Sequence, residues 1–258
     1  MKNKFSYKYL FFIPIIFVII VFIKITYDNY ETYENYEHIT FLSKEETQDF
    51  IKKDDDNYIK NLSIYDLRAR KVKTNNEYLS IVIENCLDFD ENQKRKLAIC
   101  AKEAKQFFNN KNDWIFATIN NNYENGYPHT RANIIFLSTN VINSNNSELV
   151  KTLIHESVHI FQRYNKDIIN EYLANNNYQI SRKKNKNSLI RSNPDLDEYI
   201  YKDKNGTEMM ANYSSENPTG INDITIKNLL YEHPFEKMAY EIGEEYSKSL
   251  LMKYKDIN

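Results

Sequence analysis

The fold is decided by a stretch near the middle of the chain, which reads Leu149-Val150-Lys151-Thr152-Leu153-Ile154-His155-Glu156-Ser157-Val158-His159-Ile160-Phe161. Its apolar residues recur at the spacing of an amphipathic α-helix, and several residues suited to an N-cap precede it between Ser144 and Ser147. We therefore predict a helix from Glu148 to about Tyr164. Because His155 and His159 are four residues apart, their side chains lie on the same face of this helix.

The spacing of these two histidines is typical of a metal site built on one helix. Two imidazoles one turn apart can bind a single zinc ion, and Glu156 beside the first can reach a water molecule at the ion without being a ligand. The surrounding residues are largely apolar, so three polar side chains would be costly to bury there without a metal. The alternative is a pair of core histidines bonded to neighbours, with Glu156 at the surface. The pattern favours zinc, with His155 and His159 as ligands and Glu156 as the general base.

A third ligand is needed, because catalytic zinc sites usually have three protein ligands and one open position. A second helix is expected to begin at Pro234, a residue suited to the first helical position. We predict that Glu236 in its first turn is the third ligand, with His233 as the second choice. Ala239 and Gly243 share a face with Glu236 and would let this helix lie close to the first. Alternatively, Glu236 only complements the helix dipole.

Other patterns predict further helices. A capping box at Ser43–Glu46 predicts a short helix, and Ser63 predicts the start of another. A longer helix is expected from Glu91 to Phe108, where apolar residues are spaced three and four apart. The segment from Ser181 to Lys186 is polar and strongly basic, so we expect a solvated loop or helix end there rather than a binding patch.

Two short segments have the composition of strands. Residues 114–119 and 133–138 are rich in β-branched and aromatic residues and are bounded by turn residues. The connection contains Asn125-Gly126, which is a strong turn signal, so we expect an antiparallel hairpin. The predicted fold class is therefore α+β, a mainly helical domain with a small antiparallel β-sheet.

Four segments carry a resemblance to a known family. A His-Glu-x-x-His helix followed by a distant glutamate on a second helix resembles the gluzincin class of zinc peptidases, and the resemblance covers residues 114–243. Within that range Thr152–Glu156, Tyr127–Arg131, Arg191–Asp195 and His233–Glu236 look like segments of uncharacterised metallopeptidase-like proteins of large DNA viruses and microbial eukaryotes. This resemblance implies a zincin-like domain that hydrolyses peptides or proteins.

The resemblance also implies a cleft. Its edge should be a strand lying antiparallel to the bound peptide, and residues 133–138 would correspond to that strand. His129, Arg131 and Tyr240 are candidates for stabilising the oxyanion. The long insertion before Glu236 departs from the class and puts the shape of the cleft in question. The segment Arg191–Asp195 has the composition of a turn, so we expect it to be structural rather than catalytic.

The N-terminal residues have the pattern of a membrane anchor. Residues 1–8 contain lysines, residues 9–26 are almost all apolar, and residues 27–40 are polar and acidic. We predict a cytoplasmic tail, a single transmembrane signal-anchor helix in the lipid bilayer, and a stalk, followed by a zinc metallopeptidase-like domain at residues 41–258. The positive-inside rule then places the catalytic domain in the lumen or outside the cell. The alternative is a cleaved signal peptide, which the lack of small residues after the run disfavours.

The charge and the cysteines of the chain bear on its binding partners and on its cellular compartment. The chain has 258 residues and a net charge of −2, so it lacks the excess of basic residues expected of a protein that binds nucleic acid. Cys86 and Cys100 could form a disulfide in an oxidising compartment or could be two buried thiols.

The predicted function is that of a membrane-anchored zinc-dependent metallopeptidase. The alternatives are a membrane-anchored interaction protein with a structural or vestigial zinc site, and a hydrolase acting on a different acyl group.

Overall fold

A mixed sheet of five short strands lies between two groups of helices. The computed structural model describes residues 38–109, 111–121, 123–226 and 229–255. The strands of the sheet are β1 (Ile39–Phe41), β2 (Cys86–Leu87), β3 (Trp114–Ile119), β4 (His129–Arg131) and β5 (Ile134–Ser138). They are arranged in the order β1-β3-β5-β4, and β2 pairs with the end of β3. β4 is therefore an edge strand.

The pairing of the two predicted strands differs from the expectation. β3 and β5 run parallel, with Ile115 opposite Ile134 and Ile119 opposite Ser138, so the predicted antiparallel hairpin is wrong. Parallel strands need a long connection, and the chain between them returns along the edge of the sheet to form β4. The antiparallel hairpin consists of β4 and β5 instead, joined by Ala132 and Asn133. The Asn-Gly turn signal lies in an irregular turn at Tyr123–Gly126, before β4.

Helices cover both faces of the sheet. They are α1 (Lys44–Lys53), α2 (Ile64–Ala69), α3 (Asn75–Glu84), α4 (Glu91–Phe107), α5 (Thr139–Ile142), α6 (Asn146–Tyr164), α7 (Lys166–Asn175) and α8 (Pro234–Lys255), with a 3₁₀ turn at Ile59–Asn61. Side chains alternate along β3 and β5, so each face of the sheet has its own hydrophobic core. α4, α6 and α8 contribute to one core, and α1, α2 and α3 contribute to the other.

The helices begin where their capping residues indicate. Ser43 and Ser63 each form a capping box, as predicted, and Asp90 forms a third at the start of α4. Asn145 caps α6 by accepting a hydrogen bond from the backbone N–H of Glu148. These caps satisfy backbone donors that a helix cannot bond internally. The cap at Asn145 fixes the start of α6, the helix with the paired histidines.

The long insertion between α7 and α8 contains two small antiparallel sheets. Their strands are β6 (Gln179–Lys183), β7 (Tyr199–Lys202) and β8 (Glu208–Met209) in one sheet, and β9 (Ala211–Tyr213) and β10 (Ile224–Ile226) in the other. The predicted loop or helix end at residues 181–186 is therefore wrong in part, because β6 reaches Lys183. Buried and exposed residues do not alternate along β6, because both of its faces are largely exposed. The fold class is α+β, as expected.

The two cysteines are free thiols on opposite faces of the central sheet. Cys86 lies in the core with α1 and α3, and Cys100 lies in the core with α4 and α6. Burial raises the pKa of each thiol to about 11, so both remain protonated at neutral pH. They do not form the disulfide that the sequence left open.

The predicted tail, anchor and almost all of the predicted stalk lie outside the described residues. The residues from Ile39 onward form a compact unit. None of the described helices is both long and apolar enough to cross a bilayer.

Candidate metal centre

α6 and α8 pack against each other and bring three predicted ligands together. Nε2 of His155 lies 3.1 Å from Nε2 of His159 and 3.5 Å from Oε2 of Glu236. The distance from Nε2 of His159 to Oε2 of Glu236 is 3.9 Å. Within the part of the chain that the structure describes, these three residues form the one cluster of histidine, cysteine or carboxylate side chains suited to a metal.

The spacing of these atoms suits an ion with tetrahedral coordination. Zinc bonds of about 2.0–2.1 Å at tetrahedral angles would put neighbouring ligand atoms about 3.3 Å apart. The three measured separations, 3.1, 3.5 and 3.9 Å, lie around that value. Without a cation, three groups that mainly accept hydrogen bonds would face one another. They are two imidazole nitrogens and a carboxylate oxygen. The donor set therefore fits zinc or another ion that accepts two imidazoles and a carboxylate.

A glutamine fixes the orientation of His159. Nδ1 of His159 lies 2.9 Å from Oε1 of Gln162, whose Nε2 donates a 3.0 Å hydrogen bond to the carbonyl of Phe235. Because the amide of Gln162 donates to Phe235, its oxygen accepts from His159, so the histidine proton is on Nδ1. Nε2 is then left with a lone pair, which is the form that a metal requires.

An asparagine fixes the orientation of Glu236. Nδ2 of Asn193 donates a 2.8 Å hydrogen bond to Oε1 of Glu236 and a 3.1 Å bond to Oε1 of Glu232. Arg191 also donates to Glu232. Oε1 of Glu236 is therefore occupied, and Oε2 is the oxygen that faces the two histidines.

The protonation states of the ligands suit metal binding. Burial acts to raise the pKa of Glu236, but the hydrogen bond with His155 and the charges that His159 and His155 carry when protonated lower it to about 2. Burial lowers the pKa of His159, although Asp195 and Glu236 oppose this effect. An ionised carboxylate and a neutral imidazole are the states in which these groups bind a metal.

Glu156 points into the same cleft. It is 3% exposed, and its Oε2 has no hydrogen-bond partner among the described residues. Burial raises its pKa well above the ordinary value, and the negative charges of Asp195 and Glu236 add to the effect. This location contradicts the alternative in which Glu156 lies at the surface.

The cleft has a volume of about 450 Å³ and is open to solvent at one side. α6 and α8 form one wall, with His155, Glu156, Glu236 and Tyr240. The opposite wall consists of the turn before β4 and of residues in the insertion, Tyr127, Pro128, His129, Arg191, Ser192, Asn193, Pro194 and Asp195. The insertion between α7 and α8 thus forms part of the cleft.

Comparison of the chain with protein-family models, curated proteins and solved structures finds no match.

The remaining candidates have different locations. His233, the second choice for the third ligand, is directed away from the cluster, with its Nε2 3.3 Å from Oδ1 of Asp197. Arg131 is buried and forms ion pairs with Asp54 and Asp56, so it is not available to stabilise an oxyanion. Tyr240 lies in the cleft with its ring centroid 4.7 Å from that of His155.

His129 also borders the cleft, but its ring is buried and stacked on Phe136. Its Nδ1 lies 3.0 Å from the carbonyl of Tyr127. Of the three oxyanion candidates, Tyr240 is therefore the one that is half-exposed beside a predicted metal ligand.

The strand at the edge of the sheet is β4, not the predicted segment 133–138. β5 lies between β3 and β4, so its backbone groups bond within the sheet. Arg163, one turn beyond His159 on α6, reaches β4 and donates a 3.1 Å hydrogen bond to the carbonyl of Thr130. It also donates a 2.7 Å bond to the carbonyl of Pro194. The guanidinium thus ties α6, β4 and the insertion together.

Sequence reasoning underestimated residues 191–195. Asn193 holds the third predicted ligand, and Asp195 accepts hydrogen bonds from Thr130 in β4. The segment does form a turn, since the N–H of Asp195 donates to the side chain of Asn193. The composition of the segment indicates a turn and gives no sign that two of its side chains reach the site.

Proposed function

We propose that this protein is a zinc-dependent hydrolase of peptide bonds, with His155, His159 and Glu236 as the metal ligands and Glu156 as the general base. The observation that carries the proposal is the convergence of three potential ligand atoms in one cleft, beside a carboxylate oxygen of Glu156 that has no hydrogen-bond partner among the described residues. The chemistry of this donor set supports zinc.

The residues of the cleft have separate roles in this mechanism. Zinc, when bound, makes a water molecule acidic near neutral pH and polarises a carbonyl group. Glu156 accepts the proton of the attacking water on its free carboxylate oxygen and then donates it to the leaving nitrogen. Asn193 and Gln162 hold the ligands in place, and the Tyr240 hydroxyl is the candidate donor to the oxyanion.

The ligand set supports catalysis over a structural zinc site. Structural sites usually fill four positions with protein ligands, often cysteines. Here the cluster has three ligands, and the two cysteines lie in the hydrophobic cores. A buried carboxylate next to the first histidine has no role in a purely structural site.

The test is the activity of a Glu156→Gln variant. The zinc-loaded wild type should cleave a mixture of peptides, and the variant should retain zinc but lose a factor of about 10²–10⁴ in kcat/KM, the usual contribution of a general base. Glu148→Gln is a matched control, because Glu148 is an exposed glutamate in the first turn of the same helix. Full activity of Glu156→Gln would disprove the role of the base. Stoichiometric zinc without any hydrolysis by the wild type would favour the interaction protein.

We further propose, on the sequence pattern of residues 9–26, that the domain is anchored to a membrane and faces the lumen or the exterior. Protease treatment of intact vesicles should leave the domain uncut until the membrane is opened. Immediate digestion would place it on the cytoplasmic side.

A further inference from the structure

The outward-facing backbone groups of β4 decide whether a peptide can extend the sheet. The two-residue turn at Ala132 and Asn133 makes Arg131 and Ile134 the closing pair of the hairpin. Hydrogen-bonded and non-bonded pairs alternate along an antiparallel ladder, so the N–H and C=O of Thr130 point away from β5. These are the groups with which an added strand would pair.

Both groups are already bonded to side chains of the same protein. Oδ1 of Asp195 accepts from the N–H of Thr130 at 2.6 Å and from its hydroxyl at 2.7 Å. The carbonyl of Thr130 accepts from Arg163 at 3.1 Å, and the carbonyl of Ala132 accepts from the same guanidinium at 3.2 Å. Pro128, at the preceding outward position, has no N–H. The edge of β4 is therefore masked.

The segment that masks the edge is firmly anchored. The N–H and hydroxyl of Ser192 donate to the fully buried carboxylate of Asp66 at 2.8 and 2.7 Å. Lys184 donates to the Ser192 hydroxyl at 2.6 Å. Arg163 holds the carbonyl of Pro194 on the other side. With these bonds on both sides, residues 191–195 form a fixed wall of the cleft, since opening it would expose Asp66 and break several hydrogen bonds at once.

The cleft offers side-chain contacts in place of backbone pairing. Its volume of about 450 Å³ is that of a site for a small ligand. Tyr127 and Tyr240, which are 51% and 46% exposed, line it with aromatic side chains. The amide of Asn222 donates to the Tyr127 hydroxyl at 2.9 Å and so fixes that ring.

We propose that the cleft recognises only a few substrate residues, by their side chains, so that short peptides are full substrates. Asp195 and Arg163 are the residues that set this limit, because they occupy the strand edge that an extended polypeptide would need. This proposal rests on the proposed peptidase function.

The test uses peptides of increasing length and peptides methylated at single backbone nitrogens. With the zinc-loaded full-length protein, lengthening a substrate from about four to about ten residues should change kcat/KM by less than about threefold. Methylation at any nitrogen other than that of the scissile bond should also cost less than about threefold, because no such N–H pairs with β4. A tenfold gain with length, together with losses at alternate nitrogens, would overturn the proposal.

Two variants isolate the role of Asp195. Asp195→Asn and Asp195→Ala both remove the charge near Glu156, but only the alanine removes the oxygen that bonds Thr130. We expect kcat/KM on long peptides to be about fivefold higher for Asp195→Ala than for Asp195→Asn. This is about the effect of one hydrogen bond, formed between the peptide and the freed N–H of Thr130. Equal profiles for the two variants would overturn the assignment of Asp195.

Binding separates failure of this proposal from failure of the proposed function. Peptides capped with a zinc-binding hydroxamate should bind the zinc-loaded protein and show the same tolerance of backbone methylation. If they bind but lose affinity at alternate nitrogens, the short-peptide proposal is wrong while the metal site stands. If none binds and no peptide is cleaved, the peptidase function is wrong, and the substrate proposal fails with it.

Discussion

The side-chain amide of Asn193 donates a 2.8 Å hydrogen bond to Oε1 of Glu236, which lies 43 residues further along the chain. This bond leaves the other carboxylate oxygen facing His155 and His159. The insertion therefore orients a predicted metal ligand.

Replacing Asn193 should weaken metal binding without unfolding the domain. Asn193→Ala should lower zinc affinity by about 10–100-fold, as loss of a ligand's hydrogen-bond partner usually does. Asn193→Asp should be weaker still, because it adds a negative charge beside Glu232 and Glu236. Competition with a chelator measures the affinity, and Asn222→Ala in the same cleft is the control. Unchanged affinity in Asn193→Ala would show that Glu236 needs no such support.

Gly243 in α8 gives a prediction about stability. A Cβ at this position would lie 3.5 Å from Cγ of Lys151, which is ordinary van der Waals contact. Gly243→Ala should therefore fit and should raise the free energy of unfolding by about 0.5–1 kcal/mol, because glycine disfavours the helix interior. Gly206→Ala should do the opposite, since Gly206 has a φ of +80°. Urea denaturation measures both, and a destabilised Gly243→Ala variant would mean that α6 and α8 lie too close for a methyl group.

Asp66 should make stability depend on pH. Burial acts to raise its pKa, but the charges of Lys184 and Arg70 and hydrogen bonds from Ser192 and Ser63 hold the pKa below its ordinary value. A carboxylate with a lowered pKa in the folded state stabilises the protein above its unfolded pKa of about 3.9, and this contribution is lost as the pH falls further.

We therefore expect Asp66→Asn to cost about 2–4 kcal/mol at pH 7, and the difference from wild type to shrink below about pH 4. Urea denaturation across this range measures it. Asp49→Asn, at an exposed carboxylate, should show neither effect. A difference that stays constant in acid would contradict the lowered pKa.

Arg70 and Glu124 form a buried ion pair 2.6 Å apart, with side chains 5% and 6% exposed. Arg70→Met should destabilise the protein by about 3–5 kcal/mol, because it leaves the charge of Glu124 buried without its main partner. Adding Glu124→Gln should restore part of that loss. A double-mutant cycle by urea denaturation measures the coupling, and strictly additive losses would show that the pair acts as two independent residues.

Much of the helical framework was accessible from the sequence, because its determinants are local. The starts of α1 and α2 followed from serine caps, and α4, α6 and α8 followed from apolar spacing. Glu156 and the two histidines followed from one motif. The prediction of Glu236 as the third ligand followed from the helix face that it shares with Ala239 and Gly243.

The rest depends on contacts between distant parts of the chain. β4 has three residues, too few to show a strand pattern, and its presence changes how β3 and β5 pair. The strands of the insertion are short and partly exposed, so their periodicity is weak. No local pattern could show that Asn193 meets Glu236 or that Asp195 meets Thr130.

The predicted ligands divide between α6 and α8, and the whole insertion lies between these helices in sequence. A bound ion would therefore act as a cross-link that closes a long loop and lowers the entropy of the unfolded chain. Removal of the metal would then lower the stability of the fold as well as abolish the proposed chemistry.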